Sequence, residues 1–379
     1  MRKVLVITGT RADYGIYYPI LKEIEQDLEM ELHLLVTGMH LSPQYGFTVQ
    51  DIRQDGFRIS AQVDCLLQGS SHANMARSIG LALIGMTQAI ESIQPDQIMI
   101  LGDRGEMLSA AIAASHMNIP VFHLHGGEVS GTIDESVRHA ISKLAHIHLV
   151  ATELSGERLQ RMGEDHWRIH IVGAPRIETI LTANLLPLKS IKEKYKLQHI
   201  KDYILFIYHP VTTERNFGEA LKPIIQTLIN TGYDIICVMP NADAGTDIIM
   251  NIYKSFQGHP KYHLITNFEK MDYLTVLKEA RILVGNSSSG IIEAASFHVP
   301  VINIGSRQEK RERSSNVIDS DENPENVKKL VEYALSKQFK ELVQSTNNVY
   351  QQENTSKKIL GVLKETIYSE SLIQKTITY

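Results

Sequence analysis

Residues 3–15 read KVLVITGTRADYG. The run from Lys3 to Thr8 is apolar and β-branched, stops at Gly9, and passes through Thr10-Arg11 into a segment suited to a helix. A short apolar strand ending at a glycine turn and followed by a helix is the opening unit of a parallel sheet covered by helices. The rest of the chain repeats it. In the first half the strand candidates are Lys3 to Thr8, Glu31 to Thr37, Ile59 to Val63, Gln97 to Leu101, Pro120 to His125, His146 to Ala151 and Ile169 to Val172. In the second half they are Tyr203 to Tyr208, Asp234 to Met239, His263 to Thr266, Ile282 to Gly285 and Val301 to Ile304. Helix-length amphipathic segments lie between them, so the fold class is α/β with two similar lobes.

A chain of 379 residues exceeds one ordinary core and suits two domains. The strand rhythm lapses between Gly173-Ala174-Pro175 and about Lys201, which places the boundary near residue 180. The expected organisation is a first lobe over 1–180, a second over 181–355, and a closing helix over 356–379 that crosses back to the first. No strand is expected after Ile304, and helices are expected over Pro324 to Lys337 and Thr355 to Glu370. In open α/β sheets ligands bind beyond the carboxyl ends of the strands, so two such lobes imply a cleft with loops from both.

Hydrophobic residues make up 43% of the chain and charged residues 21%, a composition that fits a globular protein, and no apolar run approaches a membrane span. The basic start Met1-Arg2-Lys3 and the apolar Val4 to Ile7 stop too soon for a signal peptide. Cys65 and Cys237 fall in different halves, which argues for reduced thiols and a cytoplasmic address. The net charge of -5 argues against a general nucleic-acid binder and leaves room for a local basic pocket.

The polar residues at strand ends carry the chemistry. Asp103-Arg104 follows the strand ending at Leu101, His125-Gly126-Gly127-Glu128 follows another, and Asp134 stands at the mouth of a helix, where it also suits an N-cap. Three carboxylates so placed suggest proton transfer. Arg138 and His139 lie farther along that helix, as site residues or as surface groups. His123 and His125 are two apart, so a shared strand face could start a metal site completed by Glu128, Asp134 and His139. Arg11 and Arg104 supply positive charge without an ion, and no metal or cofactor is expected. Gly9 to Gly15 lacks the G-x-G-x-x-G of dinucleotide folds, and its Arg11 can fork onto a diphosphate unless it merely pairs with Asp13. In the second half His209-Pro210 with Thr212-Thr213 ends one strand. Gly285-Asn286-Ser287-Ser288-Ser289-Gly290 joins another to a helix, offering amides and hydroxyls to an anion. Glu293 lies one turn on and suits ribose hydroxyls, while Arg307, Gln308 and Arg311 suit phosphate neutralisation.

These strings, in this order, resemble the hydrolysing UDP-N-acetylglucosamine 2-epimerases. They are Gly9 to Gly15, Thr37-Gly38-Met39-His40, Gly102-Asp103-Arg104, His125 to Glu128, Gly131-Thr132-Ile133-Asp134, Arg138-His139-Ala140-Ile141, His209 to Thr213, Gly285 to Ser288 and Gly305-Ser306-Arg307-Gln308. The non-hydrolysing branch usually has Pro-Glu where this chain has Ala12-Asp13, which favours the hydrolysing one. The resemblance implies the two-lobed GT-B fold, with Asp103, Glu128 and Asp134 as catalytic carboxylates. It implies Arg11, His209, Ser287, Ser288, Glu293 and Arg307 as UDP ligands, and Asp13, Arg104 and His139 join them as candidate substrate contacts. It further implies conversion of UDP-GlcNAc and water to ManNAc and UDP, through a glycal, for sialic acid-type biosynthesis, by a homodimer or homotetramer that needs no nucleic acid or membrane. The same chemistry on a UDP-linked 2,4-diacetamido-2,4,6-trideoxy sugar is the alternative, with a GT-B glycosyltransferase and a nucleotide-sugar sensor as rivals. One departure is Lys310, where relatives often carry glycine.

Overall fold

The computed structural model describes residues 1–67, 71–129, 133–211, 218–240 and 245–378; Gly131-Thr132 and Thr212-Thr213 lie outside them. The chain divides into two compact units, one of Met1–Glu128, Ile133–Glu178 and Tyr350–Tyr379, the other of Val129–Thr132 and Thr179–Val349.

The first unit is a seven-stranded parallel sheet of β1 (Arg2–Thr8), β2 (Met30–Thr37), β3 (Ile59–Val63), β4 (Gln97–Leu101), β5 (Val121–Leu124), β6 (Ile147–Val150) and β7 (Ile169–Ile171), in the order β3-β2-β1-β4-β5-β6-β7. Its helices include α1 (Arg11–Gln26), α2 (Val49–Gln54), α3 (His72–Ile93), α4 (Gly105–His116), α5 (Ile133–Leu144) and α6 (Glu153–Arg161). The period-2 alternation of a strand gives each sheet face its own core. Val4 and Val6 of β1 pack with Tyr17, Ile20, Leu21 and Ile359 on one face. Leu5 and Ile7 pack with Met86, Ile90 and Ala110 on the other. The core of β1 is therefore apolar on both sides, which is why that run was readable in the sequence. The helix Thr355–Glu365 packs against α1, and Arg2 fixes its end by donating to the carbonyls of Leu363 (2.7 Å), Lys364 and Thr366 (2.9 Å each).

The second unit holds six parallel strands, β8 (Tyr203–Ile207), β9 (Asp234–Val238), β10 (Tyr262–Ile265), β11 (Ile282–Gly285), β12 (Val301–Ile304) and β13 (Val317–Ser320), ordered β10-β9-β8-β11-β12-β13. Ile204 and Phe206 serve one core, Tyr203, Leu205 and Ile207 the other. β13 corrects the expectation of no strand after Ile304. It pairs in register with β12, Val301 opposite Val317 and Ile304 opposite Ser320. Its sequence, VIDS, is half polar because it lies at the sheet edge, where Asn303 donates to Asp319 at 2.8 Å. The expected helix over Pro324 to Lys337 is two, Pro324–Ala334 and Lys337–Gln344.

In both units the strand order reverses once, between β1 and β4 and between β8 and β11. Beyond the carboxyl ends at such a reversal the flanking loops diverge and leave a crevice. Arg11 and Asp103 flank it in the first unit, and His209 and Ser287 in the second.

Candidate functional site

In the first unit the residues that follow β4 and β5 meet on α5. Gly102 turns with a φ of +75°, and Asp103 follows at the head of α4. Arg138, one turn past Asp134 on α5, donates to the Asp103 carboxylate, and its guanidinium also lies 3.9 Å from Glu128 Oε2. The Arg138 and Glu128 side chains are each 4% exposed, so this cation is the buried counter-charge that lets two carboxylates share one pocket. Glu128 is gripped from its other oxygen by His125, whose Nδ1 lies 2.5 Å from Oε1. An ionised carboxylate only accepts, so Nδ1 carries the proton in this contact. The His125 Nε2 is buried with no hydrogen-bond partner among the described residues.

His125 takes a φ of +61°, a left-handed backbone that costs a non-glycine residue on the order of 1 kcal/mol. The turn after it admits only glycine at 127: φ is +73°, and a Cβ would stand 2.4 Å from the Ser155 carbonyl oxygen. His123 and His125 do not converge as a metal pair. His123 Nε2 is bonded to the Gly102 carbonyl at 2.7 Å and its Nδ1 to Ser142 Oγ, and burial pushes its pKa down to about 3. Among the described residues no group of three or more His, Cys, Asp or Glu is arranged to hold a metal.

Asp134, second residue of α5, is exposed, and its spacing of four from Arg138 puts both on one helix face. His139 Nε2 lies 3.7 Å from Glu135, and burial lowers its pKa. At the other flank of the crevice, Arg11 is exposed, with Nε 3.9 Å from Asp51. Asp13 has a different place from Arg11. Its carboxylate accepts from Thr8 Oγ1 (2.8 Å) and from the amides of Gly9 (3.0 Å), Thr10 (2.9 Å) and Tyr14 (2.7 Å), so it fixes the loop that presents Arg11. Arg104 is exposed and lies 3.5 Å from Glu106.

In the second unit Asn286 is the hub. Its amide side chain accepts from the His209 amide at 2.6 Å and donates to the His209 carbonyl at 2.9 Å. Its own carbonyl accepts from Arg307 at 3.1 Å and from Gln308 at 3.0 Å. One buried asparagine thus ties the ends of β8, β11 and β12 together. Gly285 before it has a φ of +138°, and a Cβ there would fall 1.8 Å from the Ile207 carbonyl oxygen, so the two strand ends touch only through glycine. Burial, with Arg307 beside it, pushes the His209 pKa down to about 3, which makes it a neutral donor. Ser287 caps the short helix Ser288–Ile292 by accepting from the Ser289 amide at 3.3 Å. Tyr273 donates to Ser289 Oγ (2.6 Å), and Ser289 in turn donates to Glu293 (2.5 Å), fixing that carboxylate.

Sequence reasoning held Arg138 open between a site residue and a surface group, weighed His125 as a metal ligand rather than a partner of Glu128, and gave Asn286 no role of its own. Arg138 had a signal, its helical spacing from Asp134. His125 had its place after a strand, but its grip on Glu128 depends on a left-handed backbone that the sequence does not show; Asn286 was visible only as part of a serine-rich turn.

A family model described as UDP-N-acetylglucosamine 2-epimerase matches residues 22–364. The chain is 42% identical over 380 residues to a UDP-N,N'-diacetylbacillosamine 2-epimerase (hydrolyzing) of Legionella pneumophila, covering 100% of both chains. It is 37% identical over 337 residues to a UDP-N-acetylglucosamine 2-epimerase of Neisseria meningitidis, covering 89% of this chain and 88% of that one. Among solved structures, a UDP-GlcNAc 2-epimerase from Neisseria meningitidis bound to UDP-GlcNAc superposes with a TM-score of 0.83 at 18% identity, over 96% of this chain and 100% of that one, a likeness of fold.

Proposed function

Since the chain belongs to the UDP-N-acetylglucosamine 2-epimerase family, we propose that it is a hydrolysing epimerase that releases UDP from a UDP-2,4-diacetamido-2,4,6-trideoxy sugar and inverts the sugar at C2. The observation that carries the chemistry is the meeting of Asp103 and Glu128 on the buried Arg138 at the first unit's strand reversal. The choice of sugar is supported by the full-length 42% identity to a diacetylbacillosamine enzyme, against 37% over a shorter span to one named for UDP-N-acetylglucosamine. This departs from the UDP-GlcNAc expectation of the motifs, which are common to both substrates because the UDP contacts and carboxylates do not read C4 or C6.

The mechanism follows from the substrate. The hydrogen at C2 neighbours an amide nitrogen and is not acidic until positive charge develops at C1, so loss of the diphosphate leads. Arg11 in the first unit, and neutral His209, Arg307 and the Ser287-Ser288 turn in the second, are each suited to receive such charge; each well-placed donor contributes up to about 3 kcal/mol. A base then takes the C2 proton, the C–H pair becomes the C1–C2 double bond, and the C1–O pair leaves with UDP. Water adds at C1 while an acid protonates C2 from the opposite face. Asp103, Glu128 and Asp134 act as the proton-transfer group, with His125 bearing on Glu128. Two of these acids meet the reaction from different surroundings: Glu128 is buried between His125 and Arg138, whereas Asp134 is exposed.

The test is to incubate purified protein, with no acceptor, with the UDP-linked diacetamido sugar and with UDP-GlcNAc, and to identify the monosaccharide released. The reading predicts a free C2-inverted diacetamido sugar with the larger kcat/KM. Preference for UDP-GlcNAc would restore the second substrate, and no free sugar from either would refute hydrolysis.

A further inference from the structure

The C-terminal segment of the chain reaches the far end of the helix that carries Asp134 and Arg138. Lys375 Nζ donates to three carbonyls at the end of α5, those of Ser142 (2.9 Å), Lys143 (3.1 Å) and Ala145 (2.7 Å). The last turn of a helix leaves such carbonyls without helical partners, and a cation there also suits the helix dipole. The same ammonium lies 2.5 Å from Glu164, whose carboxylate is completely buried. Lys143 (2.7 Å) and His148 (3.0 Å) complete the shell of that carboxylate. The segment is held on either side of Lys375. Buried Arg168 donates to the carbonyls of Ser371 (2.6 Å) and Leu372 (3.0 Å), and the Thr378 amide donates to the Gly163 carbonyl (3.1 Å).

From α5 a second line runs back to the acids. The Gly102 carbonyl can only accept, so His123 Nε2 carries the proton and its Nδ1 accepts from Ser142 Oγ at 3.2 Å. Gly102 is joined to Asp103, and Asp103 to Arg138. α5 is thus fastened to the end of β4 at two points, and the Lys375 ammonium closes its other end.

We propose that Lys375 is a positioning residue for the proton-transfer group, holding α5 at the height on the sheet that brings Arg138 and Asp134 to Asp103. The proposal rests on the assignment of those carboxylates made above. A proton-transfer site tolerates little displacement, about 1 Å costing roughly a hundredfold in rate. The anchor is also titratable: burial pushes the Lys375 pKa down to about 8, Glu164 opposing that fall and Lys143 and Arg168 adding to it. The other titratable groups around it are His123 on β5 and His146 and His148 at β6. All three are kept neutral by burial, so they do not replace it as cations.

The experiment uses the full-length chain with Lys375→Met and Lys375→Arg, with folded fraction checked by circular dichroism. Lys375→Met is expected to lower kcat per folded molecule tenfold to a hundredfold while the Kd for UDP stays within about twofold. In the native enzyme kcat should fall as pH rises through about 8, and in Lys375→Arg, which stays charged, that limb should disappear. Where Lys375→Arg does not fold, Glu164→Gln replaces it; loss of the counter-charge should move the limb to lower pH. Native kcat in Lys375→Met with only a lower Tm, or an alkaline limb unmoved by the second variant, would overturn the proposal alone. A native chain that turns over no UDP-sugar would overturn the assignment beneath it and this proposal with it.

Discussion

Replacing Arg138 by methionine removes the cation between two acids and keeps most of the side-chain volume. With the guanidinium 3.9 Å from Glu128, an effective dielectric of 20 gives about 4 kcal/mol for that pair. Both side chains are 4% exposed, so solvent screens little of it. Breaking a buried ion pair by deleting one partner costs about 3–5 kcal/mol, because the remaining charge is stranded. The expected loss for Arg138→Met is therefore about 3–5 kcal/mol, read by urea unfolding followed by circular dichroism. The sharper test is the cycle with Glu128→Gln, which removes the stranded charge: Arg138→Met/Glu128→Gln should be more stable than Arg138→Met, with a coupling of at least about 1 kcal/mol. A single-variant loss under about 1 kcal/mol, or strictly additive losses, would show that the arginine does not hold these acids together.

Two further outcomes are expected. Lys310 occupies the left-handed region at a φ of +64°, so Lys310→Gly relieves about 1–2 kcal/mol of strain against about 0.4–1 of lost chain stiffness. It should match or exceed native stability while Lys310→Val falls below it; a less stable glycine variant would refute the strain. His123 and His209 have folded pKa values of about 3 and His146 about 4, below the ordinary 6.5, so the unfolded chain binds more protons across that interval. Stability is therefore complete above pH 6.5 and is lost as pH falls toward 3–4, by up to about 2 kcal/mol per histidine at pH 5. Equal urea midpoints at pH 7.5 and 5 would contradict the neutral assignments.

The central strands were legible because buried parallel strands are apolar on both faces; Gln97 to Leu101 and Ile282 to Gly285 needed no adjustment. β13 was not, since an edge strand with Asp319 and Ser320 among its four residues carries half the apolar signal. Among the proposed site residues, Asp103 and Glu128 were singled out from their places after strands. Their joining by Arg138 could not, because it depends on where α5 sits. Lys310 is the converse: a residue that looked like a departure keeps the backbone its glycine counterpart would favour. Asp13 stood beside Arg11 as a candidate contact, yet its four internal hydrogen bonds are visible only once the loop has closed on it. Both cysteines are buried and free. No helix of the described residues is long and apolar enough to cross a membrane.

The most direct test of the account is the reaction run in deuterated water with the UDP-linked sugar, followed by NMR of the released monosaccharide. Elimination and hydration at the acids around Arg138 predict one solvent deuterium at C2 of an inverted free sugar. A product carrying only hydrogen at C2, or one with its original configuration, would contradict proton transfer at that carbon.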